Sequence, residues 1–86
     1  MTVALMWEAK AADGRGKDLL AWARAQDLPR APLRRETFSA PEERVLVITW
    51  WDAPYAADLP ELPPPPPDLA ARAPHRWRFE SLGTED

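Results

Sequence analysis

Cysteine is missing from this sequence altogether, and histidine occurs once. The first absence excludes disulfides and thiolate metal sites. The second excludes a zinc or iron centre, because a lone imidazole cannot hold such an ion without several carboxylates beside it. No metal and no cofactor are expected. A basic stripe is also missing. The net charge is −3, and Lys and Arg are scattered along the chain, often next to Asp or Glu. Nucleic-acid recognition needs such a stripe, so no nucleic-acid partner is expected. No run approaches the roughly 18 consecutive apolar residues of a membrane span. The opening Met1-Thr2-Val3-Ala4-Leu5-Met6-Trp7 has no basic region and meets Glu8 at once. It does not read as a signal peptide, and a cytoplasmic protein without a membrane partner is expected.

What is present is a short chain, whose 86 residues make one domain, 1–86. A chain of that size buries only about 60–65% of the surface that its unfolded form exposes. Domains this small are reinforced by disulfides, metals or oligomerisation. With the first two excluded, a homodimer is the expected reinforcement.

The apolar run Val3 to Trp7, opening with the β-branched Thr2 and Val3, predicts a first strand over about residues 2–10. Asp13-Gly14-Arg15-Gly16 is turn chemistry. Lys17 to Asp27 predicts a helix, with Leu19, Leu20 and Ala23 on one face and Trp22 on its rim. Asp18 suits the positive end of that helix, and Pro29 and Pro32 stop it. Leu33 to Phe38 reads as a short second strand, and Ser39 to Glu43 as a hairpin loop. Arg44-Val45-Leu46-Val47-Ile48-Thr49-Trp50-Trp51, rich in β-branched and aromatic residues, is the clearest strand. Residues 52–74 then hold Pro54, Pro60, Pro63 to Pro67 and Pro74, which forbids a long helix, since an interior proline costs about 3 kcal/mol. Two short helical pieces fit this proline-rich crossover, near Tyr55–Leu59 and Asp68–Ala73, with a polyproline stretch between them. His75 to Leu82 alternates strictly and reads as a half-buried strand, before a frayed acidic tail over 83–86.

The expected order is β-α-β-β-α-β, an α+β ferredoxin-like domain with a four-stranded antiparallel sheet. In that topology the first and third strands lie in the middle. Here those two strands are apolar on both faces, whereas the second and fourth alternate with Arg and Glu. Helices cover one face of such a sheet. The other becomes a large apolar patch of a kind that monomers rarely expose, and a second copy of the chain is the simplest cover.

Val45 to Asp52, ending in a Trp pair, and the closing Arg76-Trp77-Arg78-Phe79 resemble the third and last strands of the dimeric α/β-barrel superfamily. Within it, the chain is similar to the antibiotic-biosynthesis-monooxygenase-like family of cofactor-free quinone-forming monooxygenases and haem-degrading enzymes. The resemblance covers nearly the whole chain in topology and little of it in motif. It implies a dimeric barrel, and a cavity between helices and sheet into which Trp51 points. The family's monooxygenases also use an Asn of the first strand, and this sequence contains no Asn. Its haem-degrading members carry a His on the second helix, whereas His75 lies after that segment.

Five tryptophans, Trp7, Trp22, Trp50, Trp51 and Trp77, either wall a cavity for a flat ligand or fill the core and interface of a small dimer. Trp50 and Trp51 point to opposite faces of one strand, so at most one of them lines a given cavity. On the catalytic reading, Trp51, Tyr55 and His75 act on a planar aromatic compound, with Trp22, Trp7 and Trp77 as ligand contacts. Tyr55 or His75 would carry the proton, while the protein supplies desolvation and orientation for reaction with oxygen. The alternative is a non-catalytic dimeric interaction module that has lost the family's catalytic residues. His75 has no acid near it in sequence and also reads as a surface residue. Arg35, Arg76 and Arg78 read either as an anion anchor or as a solvated strand face that discourages aggregation. Leu62 and the five prolines after it resemble a ligand of polyproline-binding domains, and equally a stiff connector.

Overall fold

A computed structural model of the chain describes residues 1–85. Strand β1 (Thr2–Lys10) leads to helix α1 (Gly16–Ala25), then to strands β2 (Arg34–Ala40), β3 (Arg44–Asp52) and β4 (His75–Ser81). The strands form one antiparallel sheet in the order β2-β3-β1-β4. The doubly apolar strands β1 and β3 are therefore central, and the order is compatible with a ferredoxin-like arrangement. No helix among the described residues is long and apolar enough to cross a membrane.

The expected helical pieces of the crossover do not form. Residues 55–56 and 67–69 make isolated turns, and the rest of 53–74 has no helical structure. Each proline removes a backbone donor and clashes with the preceding turn, and here the prolines are too closely spaced for a helix to fit between them. Burial along this segment recurs every third residue, at Leu59, Leu62 and Pro65. Three residues per turn is the period of polyproline II. A proline strap thus covers the sheet where a second helix was expected.

Alternation sorts the side chains of the central strands. Val3, Leu5, Trp7 and Ala9 of β1 and Val45, Val47, Thr49 and Trp51 of β3 are buried on the covered face. One half of the core packs Trp7, Ala9, Val45 and Val47 against Leu19 and Ala23 of α1 and Leu62 of the strap. The other half packs Val3, Leu5 and Trp51 against Leu59.

Polar groups fasten these layers. Helix α1 has no side-chain cap of its own. Instead, Glu43 reaches over from the β2–β3 turn and accepts hydrogen bonds from the backbone N–H of Gly14 (3.0 Å) and Gly16 (3.2 Å). A carboxylate there meets both the unpaired donors and the positive end of the helix dipole. Glu42 and Glu43 adopt left-handed backbone angles, φ 67° and 58°, to make the turn. A side chain at position 16 would crowd Glu43, lying 3.2 Å from its Cβ, Cγ and Oε1. At the other helix end, Arg35 donates to the carbonyls of Gln26 (2.6 Å) and Ala23 (2.8 Å). Arg78 donates to the carbonyls of Tyr55 (2.6 Å) and Ala57 (2.8 Å), pinning the start of the crossover. These two arginines serve as backbone clamps, and Arg76 is exposed.

Candidate functional site

The sheet face opposite α1 and the strap is open. Strand register sets its side chains in rows across the four strands. The rows are Phe38–Leu46–Glu8–His75, Glu36–Ile48–Met6–Trp77 and Arg34–Trp50–Ala4–Phe79. Trp77 and Phe79 are 45% and 50% exposed. Leu46, Ile48, Met6, Trp50 and Phe38 are half-buried. At one edge, the Arg34 guanidinium lies 5.2 Å from the Trp50 ring centroid and pairs with Glu36. The open face is thus apolar in the middle and charged at the β2 rim.

One carboxylate interrupts it. The Glu8 side chain, 13% exposed, accepts hydrogen bonds from Arg72 Nη2 at 2.7 and 3.0 Å. Arg44 lies 3.8 Å from Glu8 Oε2, and His75 Nδ1 lies 3.6 Å from Oε1. Arg72 gets there by a local irregularity. Ala70 faces Ala11 and His75 faces Glu8, so five steps on one side oppose three on the other. The two extra residues swing Arg72 onto the face. His75 also packs edge-on to Trp77, 5.5 Å between ring centroids. Register brings it the acid that its sequence neighbours lack, at a distance beyond a hydrogen bond.

The residues expected to share a cavity are spread over the molecule. Trp51 is 4% exposed in the core, and its Nε1–H donates to Thr49 Oγ1 at 2.9 Å. The Arg30 guanidinium lies 5.7 Å from its ring centroid. Tyr55 is 48% exposed, and its hydroxyl donates to the Arg78 carbonyl at 3.2 Å. His75 and Trp77 lie on the open face. Trp7 and Trp22 pack together on the covered side, 6.1 Å between centroids. Trp7 Nε1 is buried without a hydrogen-bond partner. Beside Trp7 is a gap of about 10 Å³ walled by Leu5, Val47, Thr49, Glu61 and Leu62, about the size of one water. Two open depressions of about 270 and 260 Å³ lie against the strap and beside the start of α1, and Trp51 lines neither.

Glu8, Arg72 and Arg44 are the site residues that sequence reasoning missed. A single acid in the otherwise apolar face Ala4–Met6–Glu8 was the available signal, because a buried carboxylate demands cationic partners. Among the described residues, no three His, Asp or Glu side chains converge as a metal site. Comparisons with protein-family models, curated proteins and solved structures find no match.

Proposed function

We propose that the chain is a non-catalytic pairing module, in which two copies pack the open faces of their sheets against each other. The observation that carries this reading is the apolar open face built from Met6, Ile48, Trp50, Trp77 and Phe79. Overall dimensions support it. The exposed surface is 5612 Å², against about 5,100 Å² for a monomer of 9.7 kDa. The radius of gyration is 13.4 Å, against about 12 Å for a lone domain of this length. The shape is a slab, 39 × 31 × 18 Å, whose second layer is missing on one side. Four strands of about seven residues give a face of about 450 Å² in projection. Side-chain relief and the rim raise its accessible area toward the roughly 800 Å² per partner of a standard interface. The barrel implied by the resemblance to the monooxygenase-like family is one form of this pairing.

The dispersal of Trp51, Tyr55 and His75 favours a pairing module over an enzyme acting on a planar aromatic compound. Thermal unfolding over a hundredfold range of protein concentration tests the proposal. A midpoint that rises with concentration is the mark of a dimer coupled to folding. A midpoint constant over that range overturns it.

A further inference from the structure

We infer that the proline strap is also a docking ridge for a protein domain that reads polyproline II helices in an aromatic groove with a basic rim. This goes beyond the pairing reading and does not depend on it, because the strap and the open face lie on opposite sides of the sheet.

A helix with three residues per turn is a triangular prism with three ridges. Leu59, Leu62 and Pro65 form the ridge turned into the core. The ridge of Glu61, Pro64 and Pro67 is exposed along its length, and that of Pro60, Pro63 and Pro66 is half-buried at its ends and exposed at Pro63. Proline therefore recurs at three-residue intervals on both outward ridges, the spacing that aromatic grooves grip. Packing on the sheet requires none of Pro63, Pro64 and Pro67.

The backbone is equally available. Among the described residues, the carbonyls of residues 60–65 accept no hydrogen bond from this chain. Those of the exposed Glu61, Pro63 and Pro64 can meet the indole and hydroxyl donors of such a groove. Both ends of the segment are fixed. Arg30 Nη2 donates to the Asp58 carbonyl at 3.0 Å and Arg78 to that of Ala57. Downstream, Leu69 N–H donates to the Pro66 carbonyl and Ala71 N–H to that of Lys10, each at 2.9 Å. The ridge is thus held in its bound form before any partner arrives, which lowers the entropic cost of docking. Residues 57–71 contain Asp58, Glu61 and Asp68 and no Lys or Arg; Asp68 is paired with Arg15 at 3.8 Å, and the exposed Asp58 and Glu61 are the acids that remain beside the ridge. Charge complementarity therefore selects a groove rimmed by cations. An open depression of about 270 Å³ between the prolines and Ala70–Pro74, with Arg72 in its wall, adjoins the ridge and has room for one anchoring side chain.

The test titrates the full chain into two isotopically labelled probe domains, followed by NMR. One is an EVH1 domain chosen for Lys and Arg on its groove rim, and the other an SH3 domain with an acidic rim. The EVH1 domain should show saturable shifts at its groove aromatics with a dissociation constant below about 1 mM, and the SH3 domain should bind at least about fivefold more weakly. Pro64→Ala with Pro67→Ala, which leaves the buried ridge intact, should weaken binding about tenfold. Should that double variant lose its native near-ultraviolet circular dichroism, Glu61→Lys at an exposed position replaces it, with an expected loss of about threefold. Absence of saturable shifts at 1 mM overturns the inference. So do tighter binding to the acidic-rimmed domain and an affinity indifferent to these substitutions.

Discussion

Replacing Leu62 by Ala tests whether the proline strap holds the sheet as a helix would. Leu62 is 3% exposed and packs in the core cluster with Trp7, Val47 and Leu19. Truncating a buried leucine costs about 2–5 kcal/mol, the upper part applying where the surroundings cannot collapse into the space. Pro63 follows directly, and the adjoining gap beside Trp7 is already about 10 Å³. A stiff strap cannot sag to fill the enlarged hole, so about 3–4 kcal/mol is expected. The chain's whole stability, at about 0.05–0.15 kcal/mol per residue, is about 4–13 kcal/mol. Leu62→Ala should therefore leave the domain near its folding limit. Pro63→Ala next door removes an exposed ring and acts mainly by loosening the unfolded chain, at about 0.4–1 kcal/mol. Urea unfolding at one protein concentration, read by tryptophan fluorescence, compares the two. Equal losses, or a Leu62→Ala loss under about 1 kcal/mol, would refute the packing role of the strap.

Other perturbations probe the remaining joints. Glu43→Ala removes both acceptors at the start of α1 and should lower stability by about 1 kcal/mol, while Glu43→Gln should recover part of it; thermal melts at fixed concentration measure both. Arg72→Ala strips Glu8 of its two short hydrogen bonds and should cost about 2 kcal/mol, whereas Glu8→Leu with Arg72→Leu should be nearly neutral, because the charge and its partner leave together. A destabilised double variant in urea unfolding would show that the pair contributes more than mutual neutralisation. Ile48→Asp places a charge in the middle of the open face and should leave the chain unfolded, because so small a core depends on its partner. A soluble, folded monomer of that variant, seen by circular dichroism and sedimentation, would contradict this.

Much of the sheet was legible because its signal is local. The apolar run within Thr2–Lys10 and the β-branched and aromatic residues of Arg44–Asp52 set both strands, and the apolar character of both their faces places them in the middle. Boundaries that depend on tertiary contacts moved. Strand β2 runs to Ala40 instead of Phe38, because two left-handed glutamates close the hairpin in three residues. Helix α1 stops at Ala25, where Arg35 takes up its last carbonyls. The second helix was misread because short helical pieces were expected on either side of the polyproline stretch, and only isolated turns form there. The three-residue spacing of Leu59, Leu62 and Pro65 carried the information on what takes its place. The site was the least legible part. Glu8, Arg72 and His75 meet only through strand register and a two-residue irregularity between distant segments, and Trp51 became a core residue once Thr49 took its N–H.

Sedimentation equilibrium on the wild-type chain beside Phe79→Ser tests the pairing of open faces most directly. Phe79 is 50% exposed, so the substitution leaves the core intact and removes apolar contact from the proposed interface alone. Pairing of the open faces predicts a wild-type mass twice 9.7 kDa at micromolar concentration, and a dissociation constant raised about tenfold or more in the variant. A wild-type mass of 9.7 kDa across the accessible range, or a dimer that Phe79→Ser leaves unchanged, would contradict it.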